Sequence, residues 1–477
     1  MTVQDEPHIP PDIIFILIDD LGWRDLACYG STFYETPQID QLAAQGAMLT
    51  DAYAAAPVCS PTRASLLTGK YPATLGITDW IGAHSQGRLM SVPYLDHLPR
   101  HEITIATALR HMGYRTWHVG KWHLGDRHHW PEYHGFDLNI GGCGWGHPRQ
   151  GHFAPWGLPN LPEGEPGSYL ADRLTDEAIG LLHTPHTRPF FLNLSYYAVH
   201  TPIQAPRDLI EKYRNKATAL GLNDLPAFQD GEYFSCAHKL DQRVRRRLLQ
   251  SDPIYAAMVE NLDWNIGRLL QALATSPRAE NTMVIFTSDN GGLATAEGSP
   301  TCNSPLAQGK GWMYEGGTRV PFIVRWPKII SPGIRCTQPI SSPDIFPTLL
   351  DAAGSAANTS AKIEGISLMP MLLNQSCPDR PLFWHYPHYS NQGGTPACSI
   401  RRGDWKLIEF FETQNLELYH LRDDIAESRN VAGEHPTIRK ELHDLLKAWR
   451  SNSGAVIPRP NCDWRPIRPL HLDGPEV

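Results

Sequence analysis

The chain has 477 residues, 41% hydrophobic and 19% charged, enough for one large domain plus a smaller one with a substantial core. A formal net charge of −8 and the lack of any long basic run give no reason to expect a nucleic-acid partner, and no apolar stretch is long enough to span a membrane. Nine cysteines, scattered and never spaced as Cys-x-x-Cys, argue against a zinc site or a disulfide scaffold and point to a reducing compartment. The first residues are acidic and lack a secretion signal, so the chain as given is expected in the cytoplasm, or in the periplasm or outside the cell if a signal has been removed. Oligomeric state is not legible.

Asp12–Ile18 is a continuous β-branched apolar run, the pattern of a strand buried on both faces of a parallel sheet. It stops at Asp19-Asp20. Ligands of open α/β sheets bind beyond the carboxyl ends of strands, and adjacent carboxylates repel unless a cation or proton separates them. The pair reads as a cation site or as a capping turn. Residues 36–46 form a helix with Thr36 as N-cap and Pro37 in first position.

Residues 59–70 begin another helix, with Pro61 suited to a first helical position and Gly69 to a left-handed cap. Cys59 then lies where unpaired N–H groups favour a thiolate, or an oxyanion made from its side chain, and Arg63 lies on the same face one turn on. A half-buried structural cysteine is the alternative. After a helix over residues 104–112, strand alternation over residues 114–125 puts Lys121 and His123 on one face. A cation beside an imidazole can hold an anion and move a proton, or is an ordinary polar surface.

Residues 168–183 are an amphipathic helix, and the strand at residues 189–197 leads to His200, a candidate acid near a leaving group. Arg243 and residues 245–247 read as a short patch on the solvated face of a helix. The longest helix, residues 252–276, carries a core face and no chemistry. A second buried strand over residues 282–287 ends in Ser288-Asp289-Asn290-Gly291-Gly292. If the two strand ends are neighbours, Asp19, Asp20, Asp289 and Asn290 form an all-oxygen cage for a hard divalent cation, Ca²⁺ ahead of Mg²⁺. Lys310 follows in a glycine-rich loop as a movable charge, and residues 342–353 form a helix.

Near residue 360 the pattern shifts to short strands, at residues 381–384, 399–401, 405–410 and 416–419, then a last helix at residues 434–449. The expected fold is α/β: a large, mostly parallel mixed sheet flanked by helices, with a smaller C-terminal antiparallel sheet and helix. The expected domains are residues 1–360 and 361–477. Loops at residues 141–147 and 385–394, rich in glycine, aromatics and histidine, suit a sugar face, or are ordinary loop packing.

Cys59-Ser60-Pro61-Thr62-Arg63, followed by Leu67-Thr68-Gly69-Lys70, resembles the maturation signature of the type I sulfatases, members of the alkaline phosphatase superfamily. Gly113-Tyr114-x-Thr116 with Gly120-Lys121-x-His123 resembles the family's second signature. Asp19-Asp20, Asp289-Asn290-Gly291, His200 and Lys310 with Glu315-Gly-Gly-x-Arg319-Val-Pro also match, and the likeness runs from about Asp12 to Leu445, with its specific motifs all before residue 325. It implies that a formylglycine-generating enzyme oxidises Cys59 to Cα-formylglycine, whose hydrate is the nucleophile. It further implies Asp19, Asp20, residue 59, Asp289 and Asn290 as ligands of Ca²⁺, and Arg63, Lys121, His123, His200 and Lys310 as catalytic groups. The implied activity is hydrolysis of a sulfuric ester of a small saccharide, a hexose or N-acetylhexosamine. A phosphonate or phosphate ester hydrolase on the same scaffold, and a catalytically silent sugar-binding relative, are the alternatives.

Overall fold

The computed structural model describes residues 9–83, 86–355 and 362–465. Asp12–Ile18 lies inside an eight-stranded sheet, between Thr282–Ser288 and Phe190–Ser195, and runs parallel to both. Its side chains alternate between two cores: Ile14, Ile16 and Ile18 enter one, while Ile13, Phe15 and Leu17 enter the other. Removing each such side chain from water contributes about 1.5–3 kcal/mol, so a strand apolar on both faces is stable only at the centre.

The sheet continues outward through Phe322–Arg325, Ala47–Leu49 and Ile334–Cys336 on one side, and through Arg115–Gly120 and Leu138–Ile140 on the other. Only the two pairings made by Phe322–Arg325 are antiparallel. The helices Leu170–His183, Arg207–Ala219 and Pro253–Ala274 cover one face. Cys59–Thr68, Ile105–His111 and Ile345–Ala352 cover the other.

Register decides where the chemistry falls. Ile18 pairs with Ser288, Leu17 with Ser195, and Gly120 with Ser195. Four parallel strands therefore end at one edge. Asp19-Asp20, Asp289-Asn290, Lys121 and the segment leading to His200 all leave the sheet there, as expected beyond carboxyl ends.

The strands Leu382–Tyr386, Ala397–Arg402, Trp405–Phe410 and Leu416–His420 form an antiparallel sheet, and Leu442 and Leu446 of the helix Pro436–Ser453 pack on its Ile400, Leu407 and Leu418. A buried ionic network joins this sheet to the rest. Lys406 Nζ reaches Glu315 Oε1 at 2.9 Å and Glu427 Oε1 at 2.8 Å, Arg401 Nη2 reaches Asp51 Oδ2 at 2.7 Å, and Arg319 bridges Asp51 and Glu315. The domain boundary expected at residue 360 lies outside the described residues. Among the described residues, no helix is long and apolar enough to cross a membrane, and all nine cysteines are free thiols.

Several local expectations need correction. Arg243–Arg247 is a strand, paired antiparallel with Phe228–Tyr233, and Arg247 is buried with Nη2 3.2 Å from Asp252 Oδ2. Thr36 makes no side-chain cap on Pro37–Ala44. Its hydroxyl donates to Asp40, and the first N–H groups of that helix are taken by Asp263 from a neighbouring helix. Helix Cys59–Thr68 starts at Cys59, so Pro61 is its third residue; the missing N–H is still one of the four without an intrahelical partner.

Candidate active site

Cys59 opens its helix after an extended Val58, and Gly69 closes it with φ 69° and an N–H donated to Ser65 O. All ten residues of the helix are buried, which brings Cys59 and Arg63 to the strand ends together. Arg63 Nε and Nη2 each lie 2.8 Å from Asp289 Oδ2, and Nη1 donates to Ser195 Oγ at 2.9 Å and to Lys121 O at 3.0 Å. The guanidinium thus ties three strand ends to the Cys59 helix. Ser195 was not singled out in the sequence, because a serine ending a buried strand gives no signal.

Lys121 Nζ is fully buried and donates to Asp19 Oδ2 at 2.6 Å. Lys310 Nζ donates to Asp20 Oδ2 at 2.7 Å and lies 3.0 Å from His200 Nε2. Asn290 Nδ2 donates to Asp20 Oδ1 at 2.8 Å, and Asp20 N–H donates to Asp289 Oδ1 at 3.2 Å. Lys121 and His123 differ from expectation in setting. The strand ends at Gly120, and His123 has a left-handed φ of 58°, so a turn and not alternation aims both side chains. His123 Nε2 lies 3.1 Å from Ile81 O and therefore donates, leaving the buried Nδ1 as a bare acceptor.

Charge and burial compete here. Burial pushes Asp19 well above the usual carboxylate range, helped by the charges of Asp289 and Asp20 and opposed by Lys121 and Arg63. Burial works the same way on Asp20, but Lys310 and His200 outweigh it and hold Asp20 below that range. Burial, then the Lys310 charge, keeps His200 far below its ordinary value; burial, then Lys121, does so for His123. The expected thiolate at Cys59 is corrected. Burial pushes its thiol up, and the pull of Lys121 and Lys310 does not reverse this.

The donor set fits a hard cation. Ligand atoms of Asp19, Cys59 and Asp289 lie within 4.8 Å of one another, as do those of Asp19, Asp20 and His200. Asp19 Oδ1 and Asn290 Oδ1 are buried there without a hydrogen-bond partner, a cost that a cation would relieve. Asp19, Asp20 and Asp289 are balanced by Arg63, Lys121 and Lys310, so a divalent ion would leave the site positive towards an anion.

Above Cys59 opens a cavity of about 430 Å³, walled by His123, His200, Lys310, Trp145, Glu297 and Gln392 among others. Both loops with sugar-like composition contribute, Gly144 to His147 from one and Asn391-Gln392 from the other. His385 and Tyr386 of the second loop serve packing instead, the histidine on Val456 O and the tyrosine on Asp79. Trp80, Ile81, Gly82, Arg149 and Glu297 also line the cavity and carried no signal in the sequence.

A helix-flanked, mostly parallel sheet with acids, lysines and a helix-borne cysteine at one edge defines a hydrolase of anionic esters. Comparison with known proteins gives the family: residues 11–355 match the Sulfatase family model, and residues 308–452 match one described as N-sulphoglucosamine sulphohydrolase, C-terminal. The chain belongs to the sulfatase family and is a sulfuric ester hydrolase. It is 31% identical to a sulfatase of Formosa agariphila over 95% of this chain and 91% of that protein. It is 30% identical to the N-acetylgalactosamine-6-sulfatase of Mus musculus over 91% of this chain and 79% of that one. The solved structure of Ps i-CgsB in complex with k-i-k-neocarrahexaose superposes with a TM-score of 0.74 at 29% identity, covering 92% of this chain and 93% of that one.

Proposed function

We propose that this sulfatase removes sulfate from a sulfated hexose or N-acetylhexosamine, using an aldehyde made from Cys59 by a formylglycine-generating enzyme and a Ca²⁺ ion held by Asp19, Asp20, Asp289 and Asn290. The observation that carries this reading is the convergence of those four residues beside Cys59, with two of their oxygens unpartnered. The saccharide part is supported by relatives named for N-acetylgalactosamine 6-sulfate and by a similar structure that holds a neocarrahexaose.

A hydrated aldehyde at residue 59 would supply the attacking hydroxyl, and a cation held by Asp19, Asp20, Asp289 and Asn290 would withdraw charge from the sulfuryl oxygens. Lys121 and Lys310, fixed on Asp19 and Asp20, add preorganised positive charge, since both act on the charge of residue 59. Arg63 does not reach outward; it holds Asp289 and residue 59 in one frame. His200 donates from Nδ1 to Thr201 O at 2.9 Å, so Nε2 accepts from Lys310 Nζ. In this reading that pair protonates the leaving alcohol. His123 Nδ1, a bare acceptor on the neutral ring, takes the proton that must leave residue 59 before sulfate departs.

The test is sulfate release by the matured enzyme from a sulfated N-acetylhexosamine and from an aryl sulfate, beside phosphate and phosphonate monoesters. Sulfate esters should be turned over at least about a hundredfold faster, some 2.7 kcal/mol in transition-state stabilisation. Faster release from the phosphorus esters would overturn the reading.

A further inference from the structure

The cavity over Cys59 does not end at its own wall. A second cavity of about 800 Å³ adjoins it and shares Ile81, Gly82, Gly144, Trp145 and Arg149 with it. A single hexose fits the inner space, which leaves the outer one without an occupant.

The outer chamber is built from defined parts. His97 and His129 lie against each other over Gly125, whose φ is 125°, with ring centroids 4.0 Å apart and ring planes tilted by 30°. A Cβ on Gly125 would lie 2.7 Å from His129 Cβ and 2.8 Å from His97 Cβ, so glycine is what lets the rings close. Asp96 and Asp126 also face this space, but each is engaged by an imidazole, Asp96 Oδ1 by His97 Nδ1 at 2.8 Å and Asp126 Oδ1 by His129 Nδ1 at 2.9 Å. Arg127 and Arg149 are exposed lining residues, and among the described residues neither guanidinium has a carboxylate partner. Arg149 lies over the Trp145 ring at 4.6 Å, at the junction of the two chambers, and Trp130 supplies a second aromatic wall. Arg127 Nε donates only to His128 Nε2, at 3.4 Å, and guanidinium groups without a carboxylate partner beside flat rings match a sugar that carries an anionic group.

We propose that the outer chamber is the subsite for the sugar unit next to the one losing sulfate, and that Arg127 and Arg149 select a neighbour bearing a sulfate or a carboxylate. The inference rests on the saccharide reading above and makes the substrate an acidic oligosaccharide. Sulfate and carboxylate offer the same chemistry, a delocalised oxyanion, and the test separates them.

Three disaccharides carrying the same sulfated N-acetylhexosamine serve as probes, with a neutral hexose, a uronic acid or a sulfated hexose as neighbour. The expected result is a kcat/KM about tenfold higher for at least one anionic neighbour than for the neutral one, equivalent to about 1.4 kcal/mol. In Arg127→Ala and in Arg149→Ala that ratio should fall below about threefold, while Arg149→Lys keeps part of it. Equal rates for all three probes, or a ratio untouched in both alanine variants, would overturn the subsite. If an aryl sulfate is hydrolysed and no disaccharide is, the saccharide reading fails by itself. Calorimetric binding of the same probes to Cys59→Ala protein then decides the subsite separately: ranking by neighbour charge supports it, and equal affinity overturns it.

Discussion

Asn290 Oδ1 and Asp19 Oδ1 are buried acceptors with nothing to accept from, and three carboxylates crowd the same few ångströms. Adding Ca²⁺ to the metal-stripped protein should therefore raise its thermal midpoint, by the equivalent of about 2.7 kcal/mol at a hundredfold excess over Kd. Mg²⁺ should do so more weakly, and Asp289→Ala should abolish the response; an equal response in that variant would contradict the assignment. A different residue governs part of the pH dependence. Asp79 is buried and accepts from Trp80 N–H and Tyr386 O–H, and burial pushes its carboxyl up to about 7. Between the unfolded value near 3.8 and about 7, the folded state holds a proton that the unfolded state has released. Stability contributed by this site therefore falls as pH rises through that window, by at most about 4 kcal/mol. Asp79→Asn keeps both acceptor contacts and should flatten the difference in unfolding free energy between pH 4 and 7 relative to the wild type. Parallel pH profiles would show that Asp79 is charged throughout.

The strand Thr282–Ser288 shows how an element carries the site. Phe286 is fully buried opposite Ile16, and three residues later the chain must deliver Asp289 to Arg63 and to the Asp20 N–H. Phe286→Ala should cost about 3–5 kcal/mol in urea unfolding, from lost burial and the cavity left behind. A loss under about 1 kcal/mol would mean that this core collapses without strain. Elements of this kind were legible because a strand buried on both faces has a distinct composition, as at Asp12–Ile18. The turn at Lys121-Trp122-His123 was not. Two-residue alternation was expected to aim Lys121 and His123 together, but the strand stops at Gly120 and a left-handed His123 follows in a turn. Arg243–Arg247 was misread for a related reason: it pairs across the sheet with Phe228–Tyr233, and Arg247 donates to Ser299 O, contacts between separate segments that no local periodicity marks.

On the scale of the whole molecule, the C-terminal sheet is joined to the catalytic edge through charge. Lys406 is buried between Glu315 and Glu427, and Glu315 belongs to the segment that follows Lys310. Lys406→Met would leave two buried carboxylates facing each other and should destabilise the protein by about 3–5 kcal/mol; an unchanged thermal midpoint would show that the network tolerates loss of its cation. The candidate metal ligands could be located from motifs, since Asp19, Asp20, Asp289 and Asn290 stand just beyond strand ends. The cavity wall could not, because Trp80, Arg149 and Glu297 come from loops whose meeting depends on the entire fold. The most direct measurement is the mass of the peptide carrying Cys59, taken from protein made together with a formylglycine-generating enzyme, alongside sulfate release by the same sample. Oxidation of Cys59 to the aldehyde should track activity, with Cys59→Ala inactive. Full activity in Cys59→Ala, or activity independent of the oxidised fraction, would contradict the account.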